Sequence, residues 1–167
     1  MAVVATQSGH PYVKRWKQTT LGKGVVARVA VGAGINQLRN HPAKYGGGIA
    51  GFGKRLGAGL ATNAVDKTVE HALAARLHED LDYHPSNKRG VGPRLAYALE
   101  STVVTHNTRT GKSGPAVGRL AGHAAAGAFA QGVLAAGSGA ATAGVGLGID
   151  AGANVAREFV PRLRAKP

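Results

Sequence analysis

The chain has no cysteine, which removes disulfides, thiolate metal sites and cysteine nucleophiles together. Aromatic residues fill only 5% of its 167 positions: one Trp, three Phe and four Tyr. Large apolar anchors are therefore scarce, and 26 glycines with abundant alanine stand in their place. Full burial of a large side chain contributes about 1.5–3 kcal/mol, so a core of Ala and Gly holds an isolated monomer weakly. Something else must supply contact. Acids are missing from residues 1–65, and formal charge of either sign is missing from residues 120–149. The first residues, "MAVVATQSGH", lack the charged start and the apolar run of a signal peptide. On that reading the protein stays inside the cell unless a leader was removed.

What is present is positive charge. The formal net charge is +13, which favours a polyanionic neighbour, either an anionic lipid surface or nucleic acid. Lys14, Arg15, Lys17, Lys54 and Arg55 lie in the acid-free first part and are the predicted anion contacts. Most acids cluster from Asp66 to Asp82, and the tail turns basic again from Arg157.

The length suits one domain. The pattern predicts an all-α fold: a flexible basic arm over residues 1–20, a helical domain over 21–159 and a basic tail over 160–167. Trp16, between Arg15 and Lys17, suits a membrane interface. Apolar spacing predicts helices over 21–38 (where the valine content leaves a strand as the alternative), 45–65 and 63–83, with Asp66 and Glu70 near the start of the last, where the helix dipole favours acids. A further helix is expected over 94–104, although Thr102-Val103-Val104-Thr105 has strand propensity. Residues 115–159 read as a helical hairpin, with Pro115 opening its first arm, where a missing N–H costs nothing.

That hairpin carries the strongest regularity. Gly114, Gly118, Gly122, Ala126 and Ala130 recur every fourth residue, as do Ala140, Gly144, Gly148, Gly152 and Ala156. Residues four apart share a helix face, so each arm shows a stripe almost without side chains. Glycine costs about 1 kcal/mol in a helix relative to alanine, and the stripe repays that cost if another backbone packs on it. Gly118, Gly122, Ala126, Gly144, Gly148 and Gly152 are the predicted packing positions, facing a second copy or a partner. A spanning helix needs about 20 apolar residues. Here His123 and Gln131 interrupt the first arm and Asp150 the second, and an ionised carboxylate at mid-membrane costs at least ~2.5 kcal/mol. Peripheral attachment or helix–helix assembly is the expectation.

Two motifs resemble chemistry. Gly111-Lys112-Ser113 is the end of a phosphate loop without its beginning, since His106 stands where the first glycine belongs. It reads as a basic turn, with Arg109 and Lys112 as loop decoration. His71, His78, Asp82 and His84 are metal-ligand types within one short stretch, but the H-E-x-x-H spacing is absent. A helix end with local ion pairs, such as Arg76 to Asp80, is the simpler reading. No serine nucleophile motif is present, and no cofactor is implied.

The stretches "FGKRLGAGLA" (52–61), "LHEDLDY" (77–83), "RLAYALESTVVTHNTRTG" (94–111) and "GIDAGANVAREFVPRLR" (148–164) occur in this order. Together they resemble a group of uncharacterised bacterial proteins of acidobacterial type, with Leu81 and Val160 departing from the group's proline and tryptophan. No activity is established for that group, and its members are often exported or envelope-associated. The resemblance implies kinship and a place in the cell envelope or at the membrane periphery. The functional expectation is a non-enzymatic membrane- or envelope-associated helical protein that assembles through its small-residue faces. The alternatives are a soluble nucleic-acid-binding protein and a metal-dependent enzyme centred on His78.

Overall fold

A computed structural model describes residues 10–135 and 138–160. It is all-α apart from one short hairpin: α1 (His10–Leu21), α2 (Lys23–Leu38), a 3-10 turn (Ala43–Tyr45), α3 (Gly48–Leu77), α4 (Val91–Glu100), β1 (Val104–His106), β2 (Ser113–Pro115), α5 (Val117–Gly132) and α6 (Gly139–Phe159). The tail, beyond Val160, lies outside the described residues.

α3 is the spine. At 30 residues it is about 45 Å long. α5 packs along it most extensively, α6 packs on α5, α1 and α2 lie on other faces of α3, and α4 leans on α6. The helices expected over 45–65 and 63–83 are thus one, because nothing between Gly48 and Leu77 breaks it. It ends where His78 takes a left-handed conformation (φ 57°, ψ 38°), so Asp80 lies beyond the helix and bonds the His106 carbonyl through its amide. The predicted Arg76–Asp80 pair therefore does not form; Asp80 meets His84 at 2.8 Å.

The arm expected over residues 1–20 is helical from His10. Pro11 sits in the first turn, where it is tolerated. Trp16, expected at a membrane interface, instead donates its indole N–H to Thr68 Oγ1 on α3 at 3.0 Å. Gly22 makes the sharp join to α2: a Cβ there would stand 2.3 Å from the Gln18 carbonyl oxygen.

The helix expected over 94–104 stops at Glu100, and the β-branched run after it forms β1, paired antiparallel with β2 in the register Val104–Pro115, Thr105–Gly114 and His106–Ser113. Pro115 therefore ends a strand, and α5 opens two residues later. The Gly-Lys-Ser motif lies at the hairpin tip, where Gly111 has φ 68° and Asn107 Oδ1 accepts from the amides of Arg109 and Thr110.

Arg55 holds the turn between α2 and α3. It is buried, and its guanidinium donates to the carbonyls of His41, Pro42 and Gly46 and to the Gln37 side chain, at 2.5–3.0 Å. The sequence reading placed Arg55 among anion contacts; it is a staple, consumed internally. Arg55→Ala leaves three part-buried carbonyls and the Gln37 side chain without their donor and is expected to lower stability by about 1–3 kcal/mol. Arg55→Lys should recover little, since one ammonium cannot reproduce the planar fork. Urea unfolding midpoints of the two variants test this.

Candidate functional site

The centre of the bundle is ionic. Among the described residues, every buried apolar side chain is an alanine: Ala33, Ala74, Ala98, Ala116, Ala126 and Ala130. Buried beside them are Asp66, Lys67 and Glu70 from α3 and Arg119 and His123 from α5, while Asp150 on α6 is partly covered. The glycine stripe of α5 explains how they meet. A Cβ on Gly118 would stand 2.9 Å from the Glu70 carbonyl oxygen, and one on Gly122 would stand 2.7 Å from that of Asp66. Main chain touches main chain. The residues next in sequence, Arg119 and His123, are thereby delivered to the pair Glu70 and Asp66, both pairs being one helical turn apart.

His123 is clamped. Nδ1 lies 3.1 Å from Asp66 Oδ2 and Nε2 lies 3.0 Å from Asp150 Oδ2. Both neighbours are acceptors, so both ring nitrogens carry protons. Burial pulls its pKa down, but the hydrogen bonds and charges of Asp150 and Asp66 outweigh it and raise it to about 9. Asp150 answers in kind: burial pushes its carboxyl up, and His123 and Lys67 bring it below its ordinary value. Lys67 meets Glu70 at 2.6 Å and Asp66 at 3.7 Å. Burial disfavours its charge, and Glu70, Asp150 and Asp66 more than restore it, so its pKa is raised. Arg119 Nε lies 3.6 Å from Glu70, and its guanidinium donates to the carbonyls of Ser101 and Thr102. Three carboxylates thus face three cations.

Two further carboxylates fasten the ends. Glu79 accepts from the amides of Val117 and Gly118, both at 2.9 Å, capping α5 where the helix dipole favours an anion. Glu158 accepts from Tyr83 (2.6 Å), the Ser86 amide (2.8 Å), the Ser86 hydroxyl (2.6 Å) and Arg94 Nε (3.0 Å). Burial raises its pKa, and the donors of Ser86, Tyr83 and Arg94 override that and hold it at about 2.

A cavity of about 960 Å³ opens beside the network between α1, α2, α3 and α6, with Arg28, Lys67, His71, Arg119 and Asp150 on its wall. His71 donates from Nδ1 to the Lys67 carbonyl at 2.8 Å, and burial chiefly keeps its pKa low. Lys67 and Arg119 face this space already paired with Glu70 and Asp150, so the wall is internally neutralised there.

The four candidate metal ligands are not brought together. His71 lies near Thr19 Oγ1 at 3.4 Å, His78 near Arg109 at 3.3 Å and His84 against Asp80, while Arg15 holds Asp82 with two bonds of 2.6 and 2.8 Å. Among the described residues no group of His, Asp and Glu has the arrangement of a metal site. Arg15 is likewise spent on Asp82, whose pKa it lowers chiefly by hydrogen bonding. Lys14, Lys17 and Lys54 are exposed. Of the packing positions, Gly118, Gly122 and Ala126 are buried. Their partner is α3 of the same chain. Gly144, Gly148 and Gly152 face outward with nothing within 4 Å of a Cβ built on them. α6 reaches α5 instead through Gly139 and Gly146, the first against the Gly127 carbonyl and the second against the His123 ring.

No family model, curated protein or solved structure matches the chain. No helix among the described residues is long and apolar enough to cross a membrane.

Proposed function

We propose that this chain is a non-enzymatic peripheral protein of an anionic membrane surface or cell envelope. The observation that carries the reading is the inverted distribution of side chains. Acids are turned inward, with Asp82 and Glu100 the exposed ones among the described residues. Apart from buried Arg55, Lys67 and Arg119, the described lysines and arginines lie at or near the surface, and large aliphatic residues stand out in solvent, including Leu38 at 90% and Ile49 at 93% exposure. A surface that is both cationic and aliphatic matches the headgroup region of an anionic bilayer, where each nearby Lys or Arg contributes about 1 kcal/mol and aliphatic side chains leave water. The outward stripe of α6, Gly144, Gly148 and Gly152 beside exposed Val145 and Ile149, is where a second copy would pack in an assembly on that surface.

Flotation tests it. The protein is expected to float with vesicles containing about one-third phosphatidylglycerol, to float poorly with phosphatidylcholine alone, and to be released by salt. No recovery on either vesicle, together with tight DNA binding whose affinity falls steeply with salt, replaces this reading by the nucleic-acid one.

A further inference from the structure

We infer that the protein meets an anionic lipid surface end-on, through the end of the bundle that displays Leu38, Ile49 and Val133. This rests on the membrane reading above and assigns the face.

Three elements converge there: the last turn of α2, the first turn of α3 and the end of α5. Gln37 Nε2 donates to the Gly48 carbonyl at 3.2 Å, Arg55 fixes the intervening turn, and Lys44 and Tyr45 both reach the Leu134 carbonyl. On this braced platform Leu38, Ile49 and Val133 are 90%, 93% and 71% exposed. Arg39, Lys44 and Lys54 are exposed around them. The charge complementarity is one-sided, because residues 1–65 and 101–149, which supply the whole end, contain no acid. The next acid along α3, Asp66, lies eighteen residues from Gly48, roughly 27 Å at 1.5 Å per residue, and it is buried among cations. That distance exceeds the Debye length of about 8 Å at physiological salt, so the platform presents positive charge unopposed. At the opposite end, near the C-terminus of α3 and the end of α4, Glu79, Asp80, Asp82 and Glu100 offset part of the charge of Arg76, Lys88, Arg89, Arg94, Arg109 and Lys112. Cations with no acid among them, set around exposed Leu38 and Ile49, make the first end the one that meets an anionic plane.

The chain's lack of cysteine gives a clean test. Ile49→Cys and, at the far end, Val91→Cys (71% exposed) each accept one polarity-sensitive maleimide dye on an otherwise full-length protein. With phosphatidylglycerol-containing vesicles the dye at position 49 is expected to shift to the blue and gain severalfold in emission, while the dye at 91 stays as in buffer. Independently, Leu38→Asp/Ile49→Asp, at positions too exposed to disturb folding, should weaken vesicle binding at least tenfold, with Val91→Asp as the unaffected control. If the wild type floats but the dye at 49 is silent, or the double variant binds like wild type, the face is wrong and the membrane reading stands. If the wild type does not float at all, both fall.

Discussion

Replacing His123 by alanine is expected to lower the unfolding free energy by about 3–5 kcal/mol, the usual consequence of taking one partner from a buried ionic group. Asp66 and Asp150 would then face each other across the α3–α6 gap without the imidazolium that bonds both, at 3.1 and 3.0 Å. Asp66 has little to fall back on, since its Oδ1 is buried without a hydrogen-bond donor. Removing the charges with their partner is a different matter. The double variant His123→Leu, Asp150→Leu removes one charge of each sign and leaves Asp66 and Glu70 with Lys67 and Arg119, so it should recover most of the loss, because desolvating the ions costs about what their attraction returns. Urea unfolding followed by circular dichroism measures both; a His123→Ala loss below about 1 kcal/mol would mean that the network is wet and replaceable.

The same histidine sets a pH signature. Its folded pKa of about 9 lies above its ordinary 6.5, so the folded state holds the proton more tightly than the unfolded chain. The stability this provides is fully present below pH 6.5 and is lost as pH rises through 9. After discounting for solvent screening the loss is about 2 kcal/mol. Glu158 works in the opposite sense: with its pKa depressed from 4.5 to about 2, its contribution is present above pH 4.5 and disappears as the pH falls through 2. His71, whose pKa burial lowers, adds stability that is lost as pH falls below 6.5, so stability should peak near pH 6.5. The variant His123→Leu, Asp150→Leu, which lacks this histidine, should flatten the alkaline limb and keep the Glu158 part of the acid limb.

Much of the architecture was legible because it rests on local signals. The helical hairpin, its turn near Ser138 and the strand propensity around Val104 are written in apolar period and β-branching. The arm was misread because α1 carries no acid at its start and is mostly polar; it is held in place by long-range bonds, Trp16 to Thr68 and Arg15 to Asp82, that sequence spacing does not display. The ionic centre was half visible. Asp66 and Glu70 were read as helix-dipole acids, and His123 and Asp150 only as blemishes in apolar arms. The missed signal is a coincidence of spacing: Asp66/Glu70 and Arg119/His123 are both i, i+4 pairs, the second immediately following the glycines that permit close approach. The stretches 52–61, 77–83, 94–111 and 148–164 hold Arg55, Glu79, Arg94, Asp150 and Glu158, all of them buried or bridging polar anchors. What was invisible is which side of a small-residue stripe a neighbour occupies, because glycine patterns mark where backbones are able to approach and carry no information on which one does.

Alanine in place of glycine separates the two stripes. At Gly122 the new Cβ would sit 2.6 Å from Asp66 Oδ1 and 2.7 Å from the Asp66 carbonyl oxygen. The backbone oxygen cannot swing away, so α5 must lift from α3 and draw Arg119 and His123 out of register with their carboxylates. Overpacking of this kind costs about 1–3 kcal/mol, and coupling to the ionic centre should place Gly122→Ala at or above the upper end despite alanine's better helix propensity. At Gly148 nothing lies within 4 Å, so there the propensity gain of about 1 kcal/mol is free to appear. One methyl group, in helices that touch each other, should thus move stability in opposite directions, as thermal melts of the two variants would record. Gly148→Leu carries the contrast to function. A bulky side chain on an outward face leaves the monomer intact, so loss of crosslinked oligomers on anionic vesicles with an unchanged melt would place the assembly contact on α6. Unchanged crosslinking would leave α5, already closed against α3, as the stripe that matters, with the proportion of glycine in α6 owing nothing to a second copy.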